Sequence, residues 1–386
     1  HFTLALTAQV TACEPTEIVT DIDDPAVRQQ RGSHPCSALV GGDEKVLLVS
    51  DEMALPDDAD SVRSILRAEP RVTVSDVRVL GGKAVVKGDL LIKLLYVGEE
   101  SGAPTSAAER FPFSQVFEIA GLTERCTCTV DAAVIGCETR PHTDMSGMLR
   151  KVLMGARLSI GVTAYCPGEV PYLTDAYSTE REMTLTRVPL ALERVAFTLN
   201  EPVTVARKLD LPVASIERIL DVWNDAEITA VICTDAAVTL KGTLQVFLLT
   251  LDPAGEPMAF ERTVDFTVER ELPQPVENAE CRGQVTPLAV SYVLGRGELE
   301  IQSELQVHLE VVEHASCEVI AAVEPGDKLS SRFSASDVVV CRASAGETVW
   351  EIAKRYHTSP EVLTQLNGLT GDALDADRTL VIPVGW

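Results

Sequence analysis

Hydrophobic and polar residues alternate over long stretches of this chain. In the stretch 299–311 the apolar side chains share one face, and glutamate, glutamine and histidine occupy the other. The apolar face consists of Leu299, Ile301, Leu305, Val307, Leu309 and Val311. A strand with one buried and one solvated side is typical of antiparallel sheets. The same alternation in the stretches 238–248 and 111–119 predicts a mainly β protein built from antiparallel sheets.

The alternating segments occur in two copies. Residues 61–66 (SVRSIL) align with residues 215–220 (SIERIL), and each follows a Leu-Pro pair by a few residues. At the same spacing of 154 residues, KGDL at 87–90 aligns with KGTL at 241–244, and each leads into an apolar strand. A period of this length indicates duplicated domains, because solenoid units run to only about 20–50 residues.

One short helix is predicted in each copy. Val62, Ile65 and Leu66 follow helical spacing in the first copy, and Ile216, Ile219, Leu220 and Trp223 do so in the second. Apolar residues at i, i+3 and i+4 favour an amphipathic helix. Each repeat is therefore expected to be an antiparallel β-domain that carries one small helix.

A third, partial copy is expected at the start of the chain. The segment 10–13 (VTAC), followed by Thr20-Asp21, resembles the segment 162–165 (VTAY), followed by Thr174-Asp175. The predicted division is a partial repeat over 1–44, complete repeats over 45–192 and 193–323, a polar linker over 324–337 and a C-terminal module over 338–386.

The C-terminal module has the pattern β-α-α-β. Valines alternate at 338 and 340, Gly346-Glu347 makes a turn, and Thr348 is placed to cap a short helix with an apolar stripe. Ser359-Pro360 opens a second helix, and Asn367-Gly368 ends it. Leu380 and Ile382 then return as a strand.

This pattern resembles the LysM module, through its aliphatic strand, GETVWEIA at 346–353, SPEVL at 359–363, LN at 366–367 and the closing LVIP. LysM modules are small binding domains, and many hold N-acetylglucosamine polymers in a groove. The resemblance places Gly346, Glu347, Thr348 and Val349 on one side of that groove. It places Asn367, Gly368 and Leu369 on the other side and Ile382 at the floor. A purely structural reading also stands, because turn and cap roles explain Gly346, Thr348 and Asn367.

Composition narrows the classes of partner. The chain has 386 residues, of which 46% are hydrophobic, and a net charge of −25 from 58 acidic and 33 basic residues. Such acidity disfavours nucleic acid and anionic membranes, and no apolar run approaches the ~20 residues of a transmembrane helix. The 10 cysteines are dispersed without a C-x-x-C pair, a usage that suits free thiols in a reducing compartment.

No catalytic motif or cofactor signature is found in the sequence. It lacks the nucleophile elbow, the phosphate-binding loop and the zinc-protease motif, and its 6 histidines are dispersed. Cys126-x-Cys128 is the only close cysteine pair, and alternate strand positions explain it without a metal. The sequence therefore predicts a non-enzymatic protein with no cofactor, no metal site and no catalytic residue.

Tandem β-repeats before a terminal LysM resemble the SPOCS domains of SipL-type spore coat morphogenetic proteins. The resemblance implies a scaffold in the mother-cell cytoplasm, at the forespore surface, whose LysM module docks a coat-morphogenetic ATPase. The alternative is a peptidoglycan-binding protein of the cell wall or cortex. Homo-oligomerisation is left open by the sequence.

Overall fold

The computed structural model describes residues 16–56, 59–212, 215–295, 298–330 and 338–383. Within these ranges antiparallel strands dominate, and both helices lie near the C-terminus. The mainly β prediction is therefore confirmed. The strands are β1 (Val27–Ala54), β2 (Val62–Leu80), β3 (Lys83–Gly98), β4 (Pro104–Glu118), β5 (Thr127–His142), β6 (Lys151–Ser178), β7 (Arg181–Leu209), β8 (Arg218–Cys233), β9 (Ala237–Leu251), β10 (Pro257–Glu271), β11 (Ala279–Leu294), β12 (Leu299–Lys328), β13 (Val339–Ala343) and β14 (Arg378–Ile382). The helices are α1 (Val349–Arg355) and α2 (Pro360–Asn367).

The two copies form matching three-stranded sheets, ordered β2-β3-β4 and β8-β9-β10. Gly88 of β3 pairs with Val74 and Phe113, and Gly242 of β9 pairs with Ile228 and Phe266 at the equivalent points. A β-bulge follows each glycine pair, at Val74/Asp76 in the first sheet and Ile228/Ala230 in the second. The shared register and shared bulges show that the duplication extends to the backbone.

Each sheet buries one face of its central strand, as the alternating pattern requires. The inward side chains are fully or almost fully buried, and they are Ala84, Val86, Leu90, Ile92, Leu94 and Tyr96 in β3 and Val238, Leu240, Leu244, Val246, Leu248 and Thr250 in β9. They join side chains of the sheets β1-β6-β5 and β11-β12-β7, respectively, in two separate apolar cores. Phe111, Phe113, Phe117 and Ile119 also face the first core, as predicted.

The short helix predicted in each repeat is not formed. Val62, Ile65 and Leu66 lie in strand β2, and Ile219, Leu220 and Trp223 lie in β8. The register shifts at Val62/Ser64 and Ile65/Arg67, and again at Ile219/Asp221. Each bulge inserts one extra residue and resets the alternation, so the apolar spacing departs from two. A bulged strand thereby imitates the spacing of a helix.

Four cysteines form two disulfides, which corrects the expectation of free thiols. Cys126 is bonded to Cys166, with Cα atoms 4.1 Å apart, and Cys233 is bonded to Cys281, with Cα atoms 6.0 Å apart. The Cys126-x-Cys128 pair is therefore split, because Cys126 bonds elsewhere and Cys128 is free.

The contacts divide the described residues into two compact units. One unit contains the ranges 36–168 and 193–314, which hold both apolar cores of the repeats. The other contains the ranges 16–35, 169–192 and 315–383, which include the C-terminal βααβ module. The predicted repeat boundaries remain a prediction, although strand β12 continues to Lys328, inside the segment expected to be a linker.

The N-terminal segment joins the second unit through backbone hydrogen bonds. Val19 N donates to Ile320 O at 2.8 Å, and Leu173 N donates to Val19 O at 3.3 Å. Thr20-Asp21 and Thr174-Asp175 directly follow Val19 and Leu173, so this part of the predicted third copy meets its counterpart. The VTAC segment at 10–13 lies outside the described residues.

Candidate functional site

Helix α1 begins as the sequence predicts, at a capping box. The hydroxyl of Thr348 accepts from Glu351 N at 3.1 Å, and the Glu351 carboxylate accepts from Thr348 N at 2.9 Å. Gly346 precedes the cap with a φ of 86°, which favours glycine. On the inner face of the helix, Val349, Ile352 and Ala353 are buried. The first side of the predicted groove is therefore a turn fixed by its own hydrogen bonds.

A second loop is bonded to this turn. Gly346 N donates to Leu374 O and Leu374 N donates to Glu347 O, at 2.8 and 3.0 Å. Val349 N donates to Asp372 O at 2.8 Å, and Thr348 forms an isolated antiparallel bridge with Ala373. The backbone donors of the predicted first side are thus engaged within the module.

Asn367, on the predicted opposite side, has a structural role. Its amide nitrogen donates to Leu363 O at 2.9 Å and to Val381 O at 2.8 Å, and its amide oxygen accepts from Val381 N at 2.7 Å. These bonds tie the last turn of α2 to strand β14. Both donors of the carboxamide are consumed, so only acceptor capacity is left for a ligand.

The remaining predicted site residues differ in exposure. Gly346 and Gly368 are exposed, and a Cβ at either would meet nothing within 4 Å. Glu347, Thr348 and Leu369 are half-buried. Val349 and Ile382 are buried in the module's apolar core, with 6% and 2% exposure. The predicted site therefore offers two open glycines above a floor of packed aliphatic side chains.

Charge at the first side is locally compensated. The Glu347 carboxylate accepts from Arg355 and from Ser344 N, and these bonds hold its pKa below the usual glutamate range. The capping bonds from Thr348 likewise lower the pKa of Glu351. Both carboxylates are consequently ionised at neutral pH and bound to groups of the module itself.

Comparison with known families identifies two regions of the chain. The family described as SipL, SPOCS domain matches residues 61–141, and the LysM domain family matches residues 343–383. The chain contains a SipL-type SPOCS domain and a LysM domain. No curated protein and no solved structure matches the chain. The second repeat lies outside the SPOCS match, yet its sheet repeats the register of the SPOCS sheet.

The LysM domain is also in contact with the end of strand β6. Trp350 Nε1 donates to Asp175 Oδ2 at 2.9 Å, and the phenol of Tyr177 donates to Thr358 O at 2.6 Å. Sequence reasoning placed Trp350 in the module but did not find Asp175 or Tyr177. The available signal was the pair Trp350 and Lys354, which lie four residues apart on α1 and therefore on one face of the helix.

In the part of the chain that the structure describes, no helix is long and apolar enough to span a membrane. No group of three or more histidine, cysteine, aspartate or glutamate side chains is placed there to hold a metal ion.

Proposed function

We propose that this protein is a non-enzymatic scaffold of spore coat assembly whose LysM domain docks a coat-morphogenetic ATPase. It acts in the mother-cell cytoplasm, at the surface of the forespore, where its two disulfides would be an exception to the reduced thiols usual in that compartment. The observation that carries the proposal is the presence of a SPOCS domain and a LysM domain in one chain. Both are binding domains, and their combination is that of a sporulation protein.

The hydrogen bonding of the LysM loops favours a protein partner over a glycan. The backbone N–H groups from Gly346 to Val349 all donate within the domain, and so do those of Gly368 and Leu369. A sugar polymer is held mainly by hydrogen bonds to its hydroxyl and acetamido groups. With these donors engaged and Asn367 used internally, the loops present few free donors to such a ligand.

The repeats supply the body of the proposed scaffold. Two β-domains with separate apolar cores provide a large folded surface. The net charge of −25 favours a partner with a basic surface, since complementary potentials accelerate association.

Peptidoglycan binding is the second candidate. The LysM match itself favours it, and Gly346 and Gly368 leave open space at the predicted groove. In that case the protein would belong to the cell wall or cortex, and the β-repeats would act as a stalk.

Obstructing the predicted groove separates the two candidates. Gly346→Asn and Gly368→Asn add a side chain in open space, at φ values of 86° and 61° that asparagine tolerates. Gly255→Asn is the matched control, because Gly255 has a φ of 82° and open space but lies in the β9–β10 turn. Three full-length proteins are compared: the wild type, a groove variant that carries both Gly346→Asn and Gly368→Asn, and Gly255→Asn. Each is tested for sedimentation with purified peptidoglycan and for co-purification of an ATPase from sporulating cells.

The scaffold proposal expects no sedimentation with peptidoglycan for any of the proteins. It also expects the groove variant to lose at least about tenfold of the co-purified ATPase, while Gly255→Asn retains it. If the wild type and Gly255→Asn sediment with peptidoglycan and the groove variant does not, the glycan-binding function is established instead. If neither ATPase nor glycan is retained, both candidates fail.

A further inference from the structure

The contact between the LysM domain and strand β6 lies within one compact unit of the structure. It joins Trp350, Lys354, His357 and Thr358 to Asp175, Tyr177 and Ser178. The groove residues of the LysM domain take no part in these bonds. The contact therefore defines a second face of the domain, here called the α1 face and formed by Trp350, Lys354, His357 and Thr358.

Asp175 is the electrostatic centre of the contact. Its carboxylate accepts from Lys354 Nζ at 2.6 and 2.7 Å and from Trp350 Nε1 at 2.9 Å, and Arg187 Nη2 lies 3.0 Å away. The Asp175 side chain is only 16% exposed. Burial opposes its ionisation, but the bonds from Lys354 and Trp350 outweigh burial and lower the pKa of Asp175. Charge-assisted bonds of this kind are stronger than neutral ones and depend on direction.

Tyr177 inserts into the LysM core. It is 3% exposed and belongs to the same apolar cluster as Val349, Ile352 and Leu363. Its ring lies against that of Trp350 in an edge-to-face arrangement, with centroids 5.1 Å apart and an interplanar angle of 68°. Burial raises the pKa of Tyr177, so its phenol remains a donor to Thr358 O. A side chain from outside the matched domain thus completes the domain's core.

His357 closes the contact at the end of α1. Its backbone has a φ of 52°, a left-handed conformation that few non-glycine residues adopt. Its Nδ1 lies 2.9 Å from Ser178 O. The turn after α1 therefore holds both His357 and Thr358 against the end of β6.

We infer that the LysM domain has a protein-recognition site on its α1 face, specific for an Asp-x-Tyr segment, and that Asp175–Tyr177 of the same chain occupies it. Lys354 and the Trp350 indole select the carboxylate, and the Thr358 carbonyl with the Trp350 ring selects the tyrosine. The single residue between the aspartate and the tyrosine suits an extended segment, because residues two apart in a strand point to the same side. This inference does not depend on the proposed function.

The inference gives the LysM domain two separate roles. The α1 face fixes the domain to its own chain, and the groove residues stay available to an external ligand. An external partner is then bound by a domain with a fixed orientation, which reduces the entropy lost on binding.

The chain provides a matched control for the recognised segment. Thr20-Asp21 corresponds to Thr174-Asp175, but Asp23 stands where the first complete repeat has Tyr177. Asp21 is exposed and bonds to Gln29 and Arg31. Asp21→Ala removes a carboxylate from an equivalent sequence position without touching the LysM domain.

The test follows the indole proton of Trp350 in the full-length protein. The chain has 3 tryptophans, so the indole region of a ¹⁵N–¹H spectrum holds three signals, and Trp350→Phe identifies the one to follow. Asp175→Ala and Tyr177→Phe are expected to accelerate solvent exchange of that proton by about tenfold or more, because the bonds that hold the contact closed are lost. Asp21→Ala should leave the exchange rate unchanged.

Three outcomes would overturn the inference. Fast exchange in the wild-type protein would mean that the contact is not formed. Equal effects of Asp21→Ala and Asp175→Ala would mean that the response is not specific to the segment. Exchange that slows with rising protein concentration would mean that the segment comes from another copy. Retention of peptidoglycan or ATPase is measured separately, so failure here is distinguishable from failure of the proposed function.

Discussion

The two repeats have the same core but opposite charges at two equivalent positions where the repeats meet. Strands β3 and β9 bury matching apolar positions and place a glycine at the same register. At the same spacing of 154 residues, however, Arg67 corresponds to Asp221, and these two side chains lie 3.2 Å apart. Arg71 likewise corresponds to Asp225, and that pair lies 3.5 Å apart.

Contacts between equivalent residues indicate a local two-fold relation between the repeats. In a true symmetric dimer each residue on the axis would meet its own copy, and like charges would repel. Here the duplicated surface carries arginine on one repeat and aspartate on the other. The matching apolar positions thus maintain the same fold in each repeat. The divergent charged positions make the facing sides of the two copies complementary in charge.

Steric tests of the shared core have the largest expected effect. A Cβ on Gly88 would lie 2.0 Å from Thr73 O, and a Cβ on Gly242 would lie 2.4 Å from Phe266 Cζ and 2.6 Å from Glu227 O. Gly88→Ala and Gly242→Ala should therefore each lower the free energy of unfolding by about 3 kcal/mol, measured by urea denaturation. Gly155→Ala is the control, because its Cβ would meet nothing within 4 Å. If either Gly88→Ala or Gly242→Ala leaves the free energy of unfolding unchanged, the two cores are not equivalent at this position.

The sequence predicted those parts of the fold that depend on local periodicity. Alternation located the strands, and the KGDL and KGTL segments located the duplicated glycine. Cap and turn residues likewise placed both LysM helices, because Thr348 and Ser359 act within a few residues of themselves. Bulges were invisible, since one inserted residue shifts the phase of the pattern and the apolar run at 62–66 then reads as a helix.

Contacts between distant residues were beyond the sequence. Asp175 meets the LysM domain across more than 170 positions, and nothing in its neighbourhood marks it as a ligand of Lys354. The disulfide partners were hidden for the same reason, because Cys126 precedes β5 and Cys166 lies 40 residues further on, in β6. In the predicted groove, sequence patterns named the residues but did not separate binding from structural roles. Asn367 illustrates this, since its amide is consumed between Leu363 and Val381.

Removal of the buried member of the charge pairs has the next largest effect. The Asp221 side chain is 1% exposed and lies within ion-pair distance of Arg67 and Lys93. Asp221→Ala removes a shared carboxylate from Arg67 and Lys93, which keep Glu69 and the Val222 carbonyl oxygen, respectively, as partners. Loss of one partner from a buried ion pair costs roughly 3–5 kcal/mol, and partial exposure of Lys93 and Arg67 reduces the expected loss to about 2 kcal/mol.

Thermal and urea unfolding of Asp221→Ala measure this loss, and Arg67→Ala is the companion variant. Arg67 is 36% exposed, so its removal should cost less, although its guanidinium also lies over the Trp223 ring at 4.2 Å. If Arg67→Ala proves as damaging as Asp221→Ala, the ring contact and not the ion pair dominates the interface between the repeats.

The second pair should contribute least, although it occupies the same symmetric relation. Asp225 is 68% exposed, while Arg71 is 14% exposed and also bonds to Glu69 and to the backbone oxygens of Asn224 and Pro287. Asp225→Asn should therefore change the free energy of unfolding by less than about 0.5 kcal/mol, because an exposed pair is screened by water and salt. The measurement is urea unfolding at low and at high salt, with Asp221→Ala alongside. A loss at Asp225 equal to that at Asp221 would show that symmetry, and not burial, sets the strength of these contacts.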